Sequence, residues 1–161
     1  MTEPQAQRPQ VVDPIHSRVK LAGHPLHPML VHFPVAMLVA VIGADAGHWW
    51  TGDAFWQRAA LWLAGAGAGA GWLAAAVGTA DWLLTERIRE KVTAACHGVA
   101  AVMMLSMATL SWYWRWQTEP LAEPLWLASG LSLVAAALVG LASMLGGRLV
   151  YEQAVGVVTA R

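Results

Sequence analysis

The chain has 161 residues, of which 57% are hydrophobic and only 12% charged, and its mean hydropathy is +0.48. Soluble domains carry about 25% charged residues, so charge this sparse over this length points to lipid. A formal net charge of +0 leaves no basic footprint for nucleic acid, and the single cysteine, Cys96, excludes an internal disulfide and a cysteine cage for zinc; it reads as a small buried apolar residue.

Residues 1–20 are polar and proline-bearing and lack both the apolar core and the small-residue cleavage site of a signal peptide. They read as a disordered polar tail ahead of one domain over residues 21–158, and His16 within them carries no signal. Next comes His24-Pro25-Leu26-His27-Pro28-Met29-Leu30-Val31-His32-Phe33-Pro34, three histidines and three prolines at the threshold of a long apolar run. An imidazole is costly to desolvate without a partner, so ionisable groups at such a place are functional candidates.

Four segments are long and apolar enough to cross a bilayer, which takes roughly 20 residues each. They cover residues 28–50, 59–84, 93–116 and 124–145. Short connections make sequence neighbours antiparallel, which predicts an all-α integral membrane four-helix bundle. An even number of spans puts both termini on one side, together with the loop between spans two and three. That side holds Arg8, Arg18, Lys20, Arg87, Arg89, Lys91, Arg148 and Arg161, while the other holds only Arg58 and Arg115. Positive residues stay inside, so both termini are expected in the cytoplasm and the chain in the cell's inner (plasma) membrane. Seven of the 10 tryptophans (Trp49, Trp50, Trp56, Trp112, Trp114, Trp116 and Trp126) fall on the opposite, outer side, where an indole belt at the headgroups is expected.

Within span one, Pro28 suits the first helical position, where its missing N–H costs nothing. Pro34 falls inside it and frees the carbonyl of Leu30, which predicts a kink or a loosened turn. That free carbonyl could take an imidazole N–H from His32 and set its tautomer, a role common beside metal-bound histidine. His24 and His27 precede prolines, and such residues avoid the α region. Both are therefore expected outside the helix, as a polar lip. Asp45 and His48 are three apart and share a helix face, which suggests a local structural pair near the outer interface. Span two contains Gly65, Gly67, Gly69 and Gly71, two small-xxx-small pairs that let helix backbones approach closely. The rival reading is room for a flat cofactor.

Depth brings four helices together. His32 lies about one turn in from the inner side on span one, and His97 lies at a similar distance on span three. Span two delivers Asp81 to that level and span four delivers Arg148, Tyr151 and Glu152; at 1.5 Å per residue these offsets differ by less than one turn. Asp81 could bond an imidazole, cap a helix or pair with Arg87. No phosphate loop, CxxC, HExxH or nucleophile elbow is present, and the serines stand in no triad-like context. The middle of each span lacks a polar chain that would conduct protons.

The HPLHPMLVHFP run closely resembles the opening of a family of bacterial membrane proteins catalogued as domain of unknown function 2231. Gly78-Thr79-Ala80-Asp81-Trp82, His97 at the start of span three and Gly146-Gly147-Arg148-Leu149-Val150-Tyr151 at the end of span four are similar to the same family. The resemblance covers most of residues 21–158 and implies a four-span membrane protein without an assigned activity. It also implies a cytochrome-like redox partner, because members occur joined to or near such proteins. Family members often carry a histidine after the last motif, where this chain reads Tyr151-Glu152-Gln153.

Three readings follow. In the first the chain is a small b-type cytochrome, with His32 and His97 as axial ligands of haem b and with Gly98 and Gly78 making room for the porphyrin edge. In the second, His24, His27, His32, His97 and Asp81 hold a bare transition metal for binding or transport. In the third the chain is a non-catalytic structural subunit whose histidines only hydrogen-bond. An enzyme of the soluble type is the least expected.

Overall fold

The computed structural model describes residues 13–118 and 125–157. Two short strands, β1 (Lys20–Leu21) and β2 (His24–Pro25), lead into four long helices: α1 (Leu26–Thr51), α2 (Ala54–Leu84), α4 (Val92–Gln117) and α5 (Trp126–Tyr151). A single turn, α3 (Glu86–Arg89), links α2 to α4. The long helices have 26 or 31 residues, or roughly 39–46 Å at 1.5 Å per residue. All four are long and apolar enough to cross a membrane, so the chain is a helical membrane bundle.

The expected spans are all present, with ends moved by a few residues. The largest shifts are at the end of α5, which runs six residues further than expected, to Tyr151, and at the start of α2, which begins five residues early because Asp53 caps it: the carboxylate accepts from the Phe55 N–H at 2.8 Å. One residue before, Gly52 ends α1 in the left-handed region (φ 69), with its N–H on the His48 carbonyl. The turn from α1 to α2 thus needs only two residues. Pro124, expected to open span four, lies outside the described residues. α1 runs unbroken through Pro34, which is buried.

Around the bundle the order is α1, α2, α4, α5, with α5 closing back on α1, so α1 and α4 stand on a diagonal. Lipid tails are as apolar as leucine, so close packing rather than burial from water must hold these helices. The glycines of α2 supply it. A Cβ at Gly67 would stand 2.9 Å from Leu38 Cδ2, one at Gly65 would stand 2.5 Å from Trp112 Nε1, and one at Gly71 would collide with Leu105. Gly69 faces open space. Packing therefore accounts for three of the four glycines, around a core of Leu38, Ala68, Met104, Leu105, Ala108, Ala135 and Val139. Large apolar side chains such as Phe33, Leu73, Val99 and Leu133 point outward, as they must in lipid. Cys96, expected to be buried, is also exposed.

One end of the bundle carries the strands and the starts of α1 and α4; we call it the histidine end. The other is the tryptophan end, where Trp49, Trp50, Trp116 and Trp126 are exposed. Trp56 and Trp112 of the expected belt instead pack inward, against Gly47 and Gly65.

Residues 1–12 of the expected tail lie outside the described residues, but residues 13–20 are packed on the bundle. Ile15 is 2% exposed and joins Ile88, Ala94 and Leu149 in a cluster at the histidine end. Its backbone bonds the C-terminal segment on both sides, from Ile15 N–H to the Ala154 carbonyl and from Gly156 N–H to the Ile15 carbonyl. The chain then turns back at Ala22 and Gly23, both with positive φ, and β1 pairs antiparallel with β2, Lys20 opposite Pro25 and Leu21 opposite His24.

Candidate functional site

Two imidazoles meet inside the histidine end. His27 is the second residue of α1 and His97 lies in the second turn of α4. Their ring centres are 6.1 Å apart and their planes cross at 87°. The helices that carry them are diagonal, and each ring leans on the helix beside its own. His27 Nδ1 bonds the Ala74 carbonyl of α2 at 2.8 Å, and His97 Nδ1 bonds the Ala142 carbonyl of α5 at 2.9 Å.

The two seats are built alike. In each, a glycine stands four residues after the bonded carbonyl: Gly78 after Ala74 and Gly146 after Ala142. Residues four apart lie one above the other on a helix face, so the absent Cβ is what lets the ring reach the backbone. A Cβ at Gly78 would stand 2.7 Å from His27 Nδ1, and one at Gly146 would stand 3.3 Å from His97 Cε1.

This arrangement has a chemical consequence. A carbonyl oxygen only accepts, so Nδ1 of each ring must be the protonated nitrogen. In the neutral imidazole Nε2 then carries the lone pair. Neither Nε2 has a hydrogen-bond partner among the described residues. The site therefore presents two oriented imidazole lone pairs, each tautomer held by a backbone carbonyl, as is usual for metal-bound histidine.

The other residues expected here are placed differently. His32, expected as the partner of His97, is exposed on α1 and makes no hydrogen bond among the described residues. Five helical residues rotate a side chain by about 140°, so His27 and His32 lie on different faces, and only His27 faces the bundle. His27 in turn is not part of a lip outside the helix. α1 starts at Leu26, whose N–H bonds the Val19 carbonyl at 3.0 Å, and a proline in the first turn costs the helix no bond. His24 is outside the helix, as expected; it is exposed, with Nδ1 bonded to the Ala22 carbonyl at 3.0 Å. Gly98 faces open space and Gly78 holds a ring rather than a porphyrin edge.

Asp81 is buried, but its oxygens are already engaged. Oδ2 accepts from Ser17 Oγ at 2.5 Å, and Oδ1 accepts from the N–H groups of Arg18 (2.6 Å) and Val19 (3.2 Å) and from Thr85 Oγ1 (3.4 Å). Arg87, its suggested partner, bonds the carbonyls of Asp13 and Pro14 instead. Among the described residues no three His, Cys, Asp or Glu side chains are grouped to hold a metal ion. His24, His27, His32, His97 and Asp81 thus do not form one ligand set.

A second polar cluster, not anticipated, lies toward the tryptophan end. Arg115 Nη2 meets Asp45 Oδ2 at 2.7 Å, with the two side chains only 2% and 9% exposed. Arg115 also bonds Ser111 and Ser132, and Ser111 donates to the Ala128 carbonyl. Asp45 therefore pairs with α4 rather than with His48, which bonds the Asp53 carbonyl and Gln57. One aspartate in span one and one arginine in span three, each near the same end of its helix, were the available signal.

No curated protein and no solved structure matches the chain. A family model described as a predicted membrane protein, DUF2231, matches residues 23–159. With a four-helix membrane bundle in place and the match spanning most of its length, the chain belongs to the DUF2231 family of predicted membrane proteins.

Proposed function

We propose that the protein is a membrane-embedded haem b carrier that transfers single electrons, in which His27 and His97 would hold the haem. The observation that carries this reading is the pair of adjacent imidazoles, each with Nδ1 fixed on a backbone carbonyl and Nε2 left without a hydrogen bond. The two ring centres are 6.1 Å apart, so His27 and His97 would be the residues to hold the iron through Nε2. Haem also suits the count. A bare zinc ion wants about four protein ligands, whereas haem would need only two side chains from the protein. Bound there, haem would supply reversible one-electron iron chemistry.

The protein's own share is to orient the ligands. Gly78 and Gly146 let the rings seat on the backbone, and the carbonyls of Ala74 and Ala142 hold the tautomer that leaves Nε2 free. Positive residues favour the cytoplasm, and the exposed Arg18, Lys20, Arg87, Arg89 and Arg148 are at the histidine end. We accordingly place that end and both termini in the cytoplasm, with the bundle in the plasma membrane. The electron partner would be a cytochrome-like protein.

The test is a haem titration of the purified chain in detergent, followed by absorbance. A breakpoint at one haem per chain is expected, together with zinc content near zero by elemental analysis. A linear titration without a breakpoint, or stoichiometric zinc, would overturn the reading.

A further inference from the structure

We infer that Asp81 is the positioning residue of the imidazole pair, acting on His27 through the N-terminal strap formed by residues 15–25. Asp81 lies in the last turn of α2, only 9% exposed. The negative end of a helix dipole is an unfavourable place for a carboxylate. Arg89 offsets the dipole at the Leu83 carbonyl, but among the described residues no cation pairs with the Asp81 carboxylate itself; the strap supplies its donors. Ser17 donates its hydroxyl, and Arg18 and Val19 donate successive backbone amides, an arrangement that suits an anion. Thr85 adds a second hydroxyl.

From there the connection to His27 is short. Val19 gives its N–H to Asp81 Oδ1, at 3.2 Å, and its carbonyl accepts the N–H of Leu26, at 3.0 Å. Leu26 is the first residue of α1, and Pro25, the residue before it, offers no side-chain cap. The Val19 carbonyl is therefore what caps α1. Two hydrogen bonds through one residue join the end of α2 to the start of α1, and His27 is the next residue. The pairing of β1 with β2 holds the same register. His97 has no hydrogen-bonded connection of this kind: the strap reaches its helices only through apolar packing of Ile15 on Ala94 and Leu149, and His97 itself lies in the second turn of α4, which starts after Lys91. Loss of the Asp81 carboxylate should thus release His27 selectively.

This role rests on the proposed ligand site, yet it can be read without bound haem. The full chain in detergent is compared with Asp81→Ala, Asp81→Asn and Ser17→Ala. Hydrogen exchange follows residues 15–26, and diethyl pyrocarbonate modification reads His27, His97 and His32 separately by mass spectrometry. Asp81→Ala should speed exchange over residues 17–19 by about 10-fold or more and raise modification of His27 several-fold. His97 and the already exposed His32 should stay within about two-fold. Asp81→Asn keeps one carbonyl oxygen for the two amides and should restore most of both effects. If Asp81→Ala does not fold, Ser17→Ala decides, with a smaller rise confined to His27. An unchanged His27 rate after the strap is freed would overturn the inference, as would His27 and His97 rising together. A native chain that binds no haem would remove the ligand reading and leave these rates to decide the role of Asp81.

Discussion

Adding one methyl group at three glycines tests the imidazole seats, because the structure ranks the outcomes. At Gly78 the new Cβ would stand 2.7, 2.9 and 3.2 Å from three atoms of the His27 ring. Carbon contacts settle at about 3.5–4.0 Å, so the ring must retreat by roughly 1 Å. Its 2.8 Å bond to the Ala74 carbonyl then stretches beyond hydrogen-bond range. Overpacking of this kind costs about 1–3 kcal/mol, and hydrogen bonds within membrane proteins average about 0.6 kcal/mol. Against this, alanine gains about 0.8–1.0 kcal/mol over glycine in a helix. The net for Gly78→Ala is a loss of about 0.6–2.8 kcal/mol, together with a displaced ligand. At Gly146 the nearest atom is 3.3 Å away, so a shift of a few tenths of an ångström suffices and the helix gain roughly cancels the cost. At Gly98 nothing lies within 4 Å, so alanine should be neutral or slightly stabilising. Thermal unfolding in detergent, followed by tryptophan fluorescence, gives stability, and haem affinity reads the seat. The reasoning fails if Gly78→Ala matches Gly98→Ala in both.

The Asp45–Arg115 pair should behave as a buried charge pair. Asp45→Ala or Arg115→Ala alone should each cost about 3–5 kcal/mol by stranding a charge, while Asp45→Leu with Arg115→Met should recover most of the loss; an unfolding series in mixed micelles measures all of these, and additive losses would contradict the pairing. Reporter fusions check orientation: a fluorescent protein fused at the C-terminus should glow, and a periplasm-dependent phosphatase at the same point should be inactive. The reverse pattern would place the histidine end outside.

The fold was legible because it rests on long apolar runs, and lipid tolerates few alternatives to a helix. The depth of the site was legible for the same reason: a rise of 1.5 Å per residue sorts polar groups into layers. What depth does not give is the angular position of a residue. His27 and His32 are five residues apart, roughly 7.5 Å in height and about 140° in angle, and the choice between them depended on where α1 starts. That start is set by the Val19 carbonyl, a contact between residues on either side of a turn, and the proline rule pointed the wrong way because a proline in the first turn breaks no bond. Asp81 was marked as a ligand because it is a carboxylate at the right depth. Its actual partners are backbone amides of a segment that read as a loose tail, and backbone donors leave no trace in residue type. The Ala74–Gly78 and Ala142–Gly146 spacings were visible, but without the histidines across from them they look like any small-residue pair.

The most direct test of the central claim is the reduced-minus-oxidised absorption spectrum of the protein produced with haem supplied. A Soret shift and an α-band are expected in the native chain and in His32→Ala, with both lost in His27→Ala and His97→Ala. No change on reduction in the native chain, or a spectrum that survives His27→Ala and disappears with His32→Ala, would contradict the account.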